Sequence, residues 1–212
     1  FPTRRSSDLG NAPAQGQRSD LLQLQTLVDA ETPELQLWEE HFETMARNYQ
    51  AIRQYALLRR AAGRSDYQAI DVRVYWGATG LGKSRRAVYE ARESAGRYYI
   101  ADTPDRPGGA KWFDGYDGTA PLIIDDFNGE YGVNWFKRLL DGYPMQLPIK
   151  GGYVPRGCSL IIITSNNNPD DWYPEASPED RAAIRRRFSS VVRFLGPWVP
   201  PADEEDPIVD DE

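Results

Sequence analysis

Eight consecutive residues carry the clearest chemical signal in the chain. Gly77-Ala78-Thr79-Gly80-Leu81-Gly82-Lys83-Ser84 fits the pattern G-x-x-x-x-G-K-[ST]. Glycines at these places let backbone N–H groups turn inward around phosphate oxygens. A helix that starts at the lysine adds its unpaired N–H groups and the positive end of its dipole. Lys83 can then reach the β- and γ-phosphates of a nucleoside triphosphate, and Ser84 can offer its hydroxyl to Mg²⁺. The competing reading is a glycine-rich strand-to-helix turn with no ligand. A β-rich run at 72–76 leads in and a helical run leads out, which favours the phosphate cradle. Residues 77 to 84 are the expected nucleotide site, with ATP and Mg²⁺ as cofactors.

Two further runs place polar groups at the ends of apolar stretches. Leu122-Ile123-Ile124-Asp125-Asp126 ends in two acids. Acids at the C-terminal end of a buried strand lie beside a P-loop in this kind of sheet. Asp125 is expected to hold Mg²⁺, directly or through water, and Asp126 to orient or deprotonate the attacking water. Acids also end strands merely as turn formers, and it is the companion P-loop that gives this pair its weight. Ser159-Leu160-Ile161-Ile162-Ile163-Thr164-Ser165-Asn166 repeats the design. Asn166 has both a donor and an acceptor for a γ-phosphate or a water. Asn167, Asn168 and Pro169 just beyond it also suit a plain turn.

The elements that must position these groups follow from the pattern of apolar residues. Short β-rich runs lie at 72–76, 97–100, 121–124, 159–164 and 190–194, with helical runs at 83–93, 133–140 and 178–187. This alternation predicts an α/β domain with a mainly parallel sheet. A further helix is expected over 34–61, where Leu35, Trp38, Phe42, Met45, Tyr49, Ile52 and Ala56 recur at steps of three and four. Such a stripe packs on a core or docks a neighbouring subunit, and spacing alone does not name the partner. The polar stretch 1–20 reads as a linker. Its opening Phe1-Pro2-Thr3-Arg4-Arg5-Ser6-Ser7-Asp8-Leu9 also resembles a translated sequencing adapter, so an artefactual arm on a truncated reading frame is expected. Residues 197–212 read as a Pro-rich and then acidic disordered tail.

Composition limits the remaining chemistry. One cysteine, Cys158, and one histidine, His41, cannot assemble a Cys/His zinc site or an internal disulfide. Cys158 reads as a small core residue and His41 as an ordinary helical one. No apolar run is long enough to span a bilayer, so no membrane partner is expected. The formal net charge of −7 is matched by the seven acids between 203 and 212, which leaves a neutral body whose binding faces net charge does not decide.

Longer strings add a family resemblance. Lys111-Trp112-Phe113-Asp114-Gly115-Tyr116 precedes the run LIIDDFNG at 122–129. Leu139-Leu140-Asp141-Gly142-Tyr143-Pro144, Lys150-Gly151-Gly152 and Ile163-Thr164-Ser165-Asn166 follow in order. Over residues 18–195 the chain resembles the superfamily 3 helicase domain of replication-associated proteins from circular single-stranded DNA viruses, the circovirus-like group. Arg18-Ser19-Asp20-Leu21 resembles the linker that follows the family's nuclease domain. The resemblance implies an AAA+-like P-loop NTPase core at 67–196, a helical oligomerisation segment at 21–66 and a hexameric ring with ATP between subunits. It implies ATP-driven translocation on single-stranded DNA in the 3′ to 5′ direction, in the nucleus of a host cell. It also implies that Lys150, in a hairpin-like segment at 148–155, grips the strand, and that Arg186 or Arg187 acts as an arginine finger on a neighbour's γ-phosphate. A solvated hairpin lysine and a basic helix face are the plain alternatives for these residues.

Two departures stand out. Ala78 and Thr79 occupy places where many members have proline. With His41 as the only histidine, the metal-binding histidines of the family's nuclease domain have no counterpart, and no DNA nicking is expected of this stretch. Related helicases of RNA viruses keep RNA open as the substrate. An ATPase that switches assembly or partner binding, without unwinding, is the rival reading.

Overall fold

The computed structural model describes residues 19–62, 66–104 and 111–201. The expected arm at 1–18 and the tail from 202 onward lie outside the described residues. The chain divides into two compact units, Phe1–Arg60 and Ala61–Glu212.

The first unit is a pair of helices, α1 (Ser19–Asp29) and α2 (Glu34–Ala62). Leu24, Val28, Leu37 and Met45 form its buried centre, with Trp38, Tyr49, Ile52, Tyr55 and Ala56 around them. The Asp29 carboxylate ties the pair together, accepting from Tyr55 Oη at 2.8 Å and Arg59 Nε at 2.6 Å. Three expectations are corrected here. Ser19 and Asp20 are the first residues of α1 and not linker. His41 is not an ordinary helical residue, because its φ of −132° and ψ of 35° break α2. That break shifts the helical phase, so Leu37 is buried while Leu35 and Phe42 face solvent. Of the expected stripe, Trp38, Met45, Tyr49, Ile52 and Ala56 pack in this centre, and Leu35 and Phe42 do not.

The second unit contains β1 (Asp71–Gly77), α3 (Lys83–Ala95), β2 (Tyr99–Ala101), β3 (Leu122–Ile124), α4 (Val133–Leu139), β4 (Gln146–Ile149), β5 (Gly152–Pro155), β6 (Leu160–Ser165), α5 (Pro178–Arg185) and β7 (Ser190–Phe194). Five strands form one sheet in the order β2-β3-β6-β1-β7, and every neighbouring pair is parallel. This is the P-loop α/β arrangement expected. Val72, Val74, Leu122, Ile123, Ile124, Ile161, Ile162 and Ile163 are all buried, as unbroken apolar strands of a parallel sheet covered on both faces should be. β4 and β5 form a separate antiparallel hairpin.

Helix α3 lies on one face of the sheet. Its Ala87 and Ala91 pack among Tyr75, Ile123, Leu160, Ile162 and Phe194, small side chains against large ones. A charged anchor fixes its rotation. Glu90 accepts from Arg73 Nη1 at 2.6 Å, from Arg86 Nε at 2.7 Å and from the Tyr75 hydroxyl. Burial disfavours the Glu90 carboxylate, yet these three donors outweigh it and hold its pKa below the usual range. The helix that starts at Lys83 is thus locked to the strand that ends at Gly77.

Candidate active site

The loop between β1 and α3 needs backbone that only glycine adopts without strain. Gly77 has φ 143°, and a Cβ there would lie 2.6 Å from the Phe194 carbonyl oxygen. Gly80 and Gly82 have φ of 77° and 78°. Lys83 is only 5% exposed and points back into the loop. Its Nζ donates to Gly77 O at 3.1 Å, Ala78 O at 2.9 Å and Asn166 Oδ1 at 2.9 Å. Trp198 closes over this region, donating its backbone N–H to Leu81 O at 3.0 Å and packing its ring at a tilt on Tyr89, 5.5 Å between centroids. The expected disordered tail therefore does not begin at 197, because an indole among prolines is held by the core.

The two acids occupy different surroundings. Asp125 is half-buried, and its Oδ1 accepts from Ser84 Oγ and from Thr164 Oγ1, both at 2.6 Å. Asp126 is exposed and has φ 50°, an uncommon left-handed conformation for a non-glycine residue. Its N–H donates to Thr164 Oγ1 at 3.0 Å, and its Oδ1 accepts from Asn166 Nδ2 at 3.1 Å. Asn166 thus bridges the P-loop lysine and the second acid. Its amide orientation follows from its neighbours, since Lys83 can only donate and Asp126 Oδ1 accepts.

Strand order explains the convergence. β6 lies between β1 and β3, with Trp76 beside Ser165 and Ile124 beside Ile163. The loop after β1, the acids after β3 and Asn166 after β6 therefore meet at one edge, the C-terminal ends of the strands. Thr164 was not singled out by sequence reasoning, although its hydroxyl positions both acids. Its polarity at the end of an otherwise apolar run was the available signal. The tip of β6 is braced further by Trp172 Nε1, which donates to Ser165 Oγ at 3.0 Å.

Lys150 and the arginine pair are not part of this cluster. β7 places Ser190 beside Arg73 and Phe194 beside Gly77, so the arginines before Ser190 sit at the end of the sheet away from the P-loop. Arg187 is engaged there, with Nη2 at 2.5 Å from Asp141 Oδ2 and Nη1 donating to Ala183 O. Arg186 is exposed, and its side chain makes no polar contact among the described residues. Both line a cleft of about 560 Å³ with Tyr67, Asp141, Tyr143 and Ser189. Lys150 occupies the turn of the β4–β5 hairpin, its side chain 78% exposed and its Nζ 3.4 Å from Asp114 Oδ2. Asp114 Oδ1 also accepts the Lys150 N–H at 2.7 Å.

Comparison with known proteins points one way. The replication-associated protein of porcine circovirus 2 is 33% identical over 186 residues, which is 87% of this chain and 56% of that protein. The corresponding protein of human associated cyclovirus 1 is 33% identical over 180 residues, 84% of this chain and 63% of that one. That of beak and feather disease virus is 35% identical over 149 residues, 70% of this chain and 47% of that one. The chain spans about half the length of the curated relatives it matches. No family model matches it. Among solved structures, the S. cerevisiae Hsp104–ADP complex superposes with a TM-score of 0.40 and 15% identity, covering 77% of this chain and 30% of that one.

Proposed function

We propose that this chain, a relative of the circovirus replication-associated proteins, hydrolyses ATP with Mg²⁺ and uses the turnover to move single-stranded DNA during replication of a viral genome. One observation carries the reading: Asn166 joins Lys83 and Asp126 in a single hydrogen-bonded cluster at the mouth of a P-loop. The donor set suits the cofactors. A buried ammonium faces the loop, and a hydroxyl and a carboxylate oxygen, Ser84 and Asp125, stand together as hard ligands of the kind Mg²⁺ takes. When bound, MgATP supplies the electrophilic γ-phosphoryl group and the divalent charge beside it.

The protein's own groups then have distinct tasks. Lys83 exchanges the carbonyls of Gly77 and Ala78 for phosphate oxygens and balances their charge. Asp125, with Ser84, holds the metal. Asp126 accepts the proton of the attacking water, and Asn166 orients that water. Arg186 lies at the wrong end of its own sheet to reach this site, which suits action on a neighbour's nucleotide in a homo-oligomeric ring, six subunits being the number the family resemblance implies. Arg187 is bound to Asp141 and would have to leave it to do the same. Lys150 contacts DNA phosphates in the ring's pore. Replication in the host nucleus belongs to the same reading.

The test is phosphate release and strand displacement by the purified chain, with and without single-stranded DNA or RNA. We expect DNA to stimulate hydrolysis and a tailed duplex to be opened. Hydrolysis indifferent to either nucleic acid would replace the motor with a switch of assembly or partner binding. Stimulation by RNA alone would change the substrate.

A further inference from the structure

The aromatic residues of the described chain are, with two exceptions, tied to another ring, a cation or a hydrogen-bond partner. The exceptions are Trp112 and Tyr153. Both belong to the hairpin region that carries Lys150. Tyr153 is in β5 itself, paired across the hairpin with Pro148. Trp112 precedes Phe113, whose N–H donates to Pro148 O at 2.9 Å.

Tyr153 is the more open of the two, at 66% exposed against 43% for Trp112. The pleat accounts for it. Leu147 and Val154 face each other and are buried, so the neighbouring pair Pro148 and Tyr153 must turn outward. Gly151 and Gly152 add no side chain between the ring and Lys150, and a Cβ at either would touch nothing within 4 Å. At ~3.4 Å per residue the Cα atoms of Lys150 and Tyr153 lie within ~10 Å of one another. An uncovered aromatic face beside an exposed cation is the combination that holds single-stranded nucleic acid, with a base on the ring and a phosphate on the charge.

We propose that Tyr153 is a base-stacking residue for single-stranded nucleic acid, working beside Lys150. This rests on the reading that the hairpin holds the strand. It makes the grip two-part: Lys150 takes the backbone and Tyr153 takes a base without reading its identity.

The test uses fluorescence anisotropy with a labelled oligothymidylate and an abasic oligonucleotide of equal length and charge. Wild type, Tyr153→Ala, Tyr153→Phe and Lys150→Ala are compared, with far-ultraviolet circular dichroism and thermal unfolding as the folding check. We expect Tyr153→Ala to weaken oligothymidylate binding about tenfold and leave abasic binding unchanged, and Tyr153→Phe to bind as wild type. The salt dependence of Tyr153→Ala should equal that of wild type, because no phosphate contact is lost. Lys150→Ala should weaken both ligands. If Lys150→Ala weakens binding while Tyr153→Ala does not, stacking is overturned and the hairpin reading stands. Equal loss on both ligands by Tyr153→Ala also overturns stacking. If wild type binds neither ligand, the hairpin reading and the stacking fall together. If Tyr153→Ala changes only the oligomer mass, the ring covers a second copy of the chain and no base.

Discussion

The P-loop mouth and the β4–β5 hairpin handle charge in opposite ways. At the mouth, Lys83, Ser84, Asp125, Asp126, Thr164 and Asn166 are knitted together by bonds of 2.6 to 3.1 Å. Every side chain there is delivered by a strand end or a helix start. On the hairpin, one lysine with 78% of its side chain in solvent is held by a 3.4 Å ion pair, next to an uncovered tyrosine. The difference matches two chemical demands of the proposed function. Phosphoryl transfer needs groups fixed before the reaction, since reorganising them during it raises the barrier. Holding a polymer that must slide needs contacts that form and release. Substitutions at the mouth should therefore act on turnover in large steps, and those on the hairpin should act on binding in small ones.

The sharpest way to break the contrast is Lys83→Ala. It removes the charge that three acceptors now hold over the loop. We expect hydrolysis to fall by about a hundredfold or more, measured as phosphate release at saturating ATP. Near-normal turnover would show that the buried ammonium only braces the loop.

The two acids come next. Asp126→Asn should bind ATP and hydrolyse it very slowly, because an amide cannot accept the proton of water. Asp125→Asn should instead weaken nucleotide affinity and change the Mg²⁺ dependence. Separate binding and turnover measurements decide this, and identical defects would mean that the two surroundings do not translate into two roles.

Thr164 tests positioning at the mouth without touching the expected ligands. Thr164→Val keeps shape and burial but deletes the hydroxyl that donates to Asp125 and accepts from the Asp126 N–H. A hydrogen bond to a charged group is worth about 2 kcal/mol, so turnover should fall by roughly thirtyfold. Thr164→Ser should restore most of it. If valine and serine behave alike, the hydroxyl does not set the acids.

How far each feature was legible depends on the distance over which its cause acts. The P-loop is eight contiguous residues, and the runs 122–124 and 160–163 are apolar without interruption, so both announce themselves locally. Thr164 does not, because its partners lie just after β3, and only the register of β6 against β3 reveals the contact. The phase of α2 misled for a different reason. Leu35 and Phe42 keep helical spacing in the sequence, and nothing there marks the non-helical φ at His41 that turns them outward. Trp198 was hidden by its neighbours, a single aromatic anchor at the head of a segment that otherwise reads as tail. The Lys150–Asp114 pair spans 36 positions, with no pattern linking them.

That pair gives the smallest expected effect and the finest probe of the hairpin. Asp114 does two things for Lys150. One carboxylate oxygen accepts the backbone N–H of the turn, and the other attracts the ammonium at 3.4 Å. Asp114→Asn separates them, since its amide oxygen can still accept the N–H while the negative charge disappears. A half-exposed ion pair of this length is worth at most ~1 kcal/mol, so releasing it should tighten single-strand binding by only two- to fivefold at low salt. The gain should shrink as salt rises, because mobile ions already screen the carboxylate from the incoming phosphates. Asp114→Ala should gain less, because the turn loses its acceptor along with the charge. Anisotropy titrations at several salt concentrations measure all three. Unchanged affinity for Asp114→Asn at low salt would mean that Lys150 is not the group phosphates seek. A change in basal hydrolysis of this variant would mean that the hairpin is mechanically tied to the mouth, and the two regions would then have to be treated as one device.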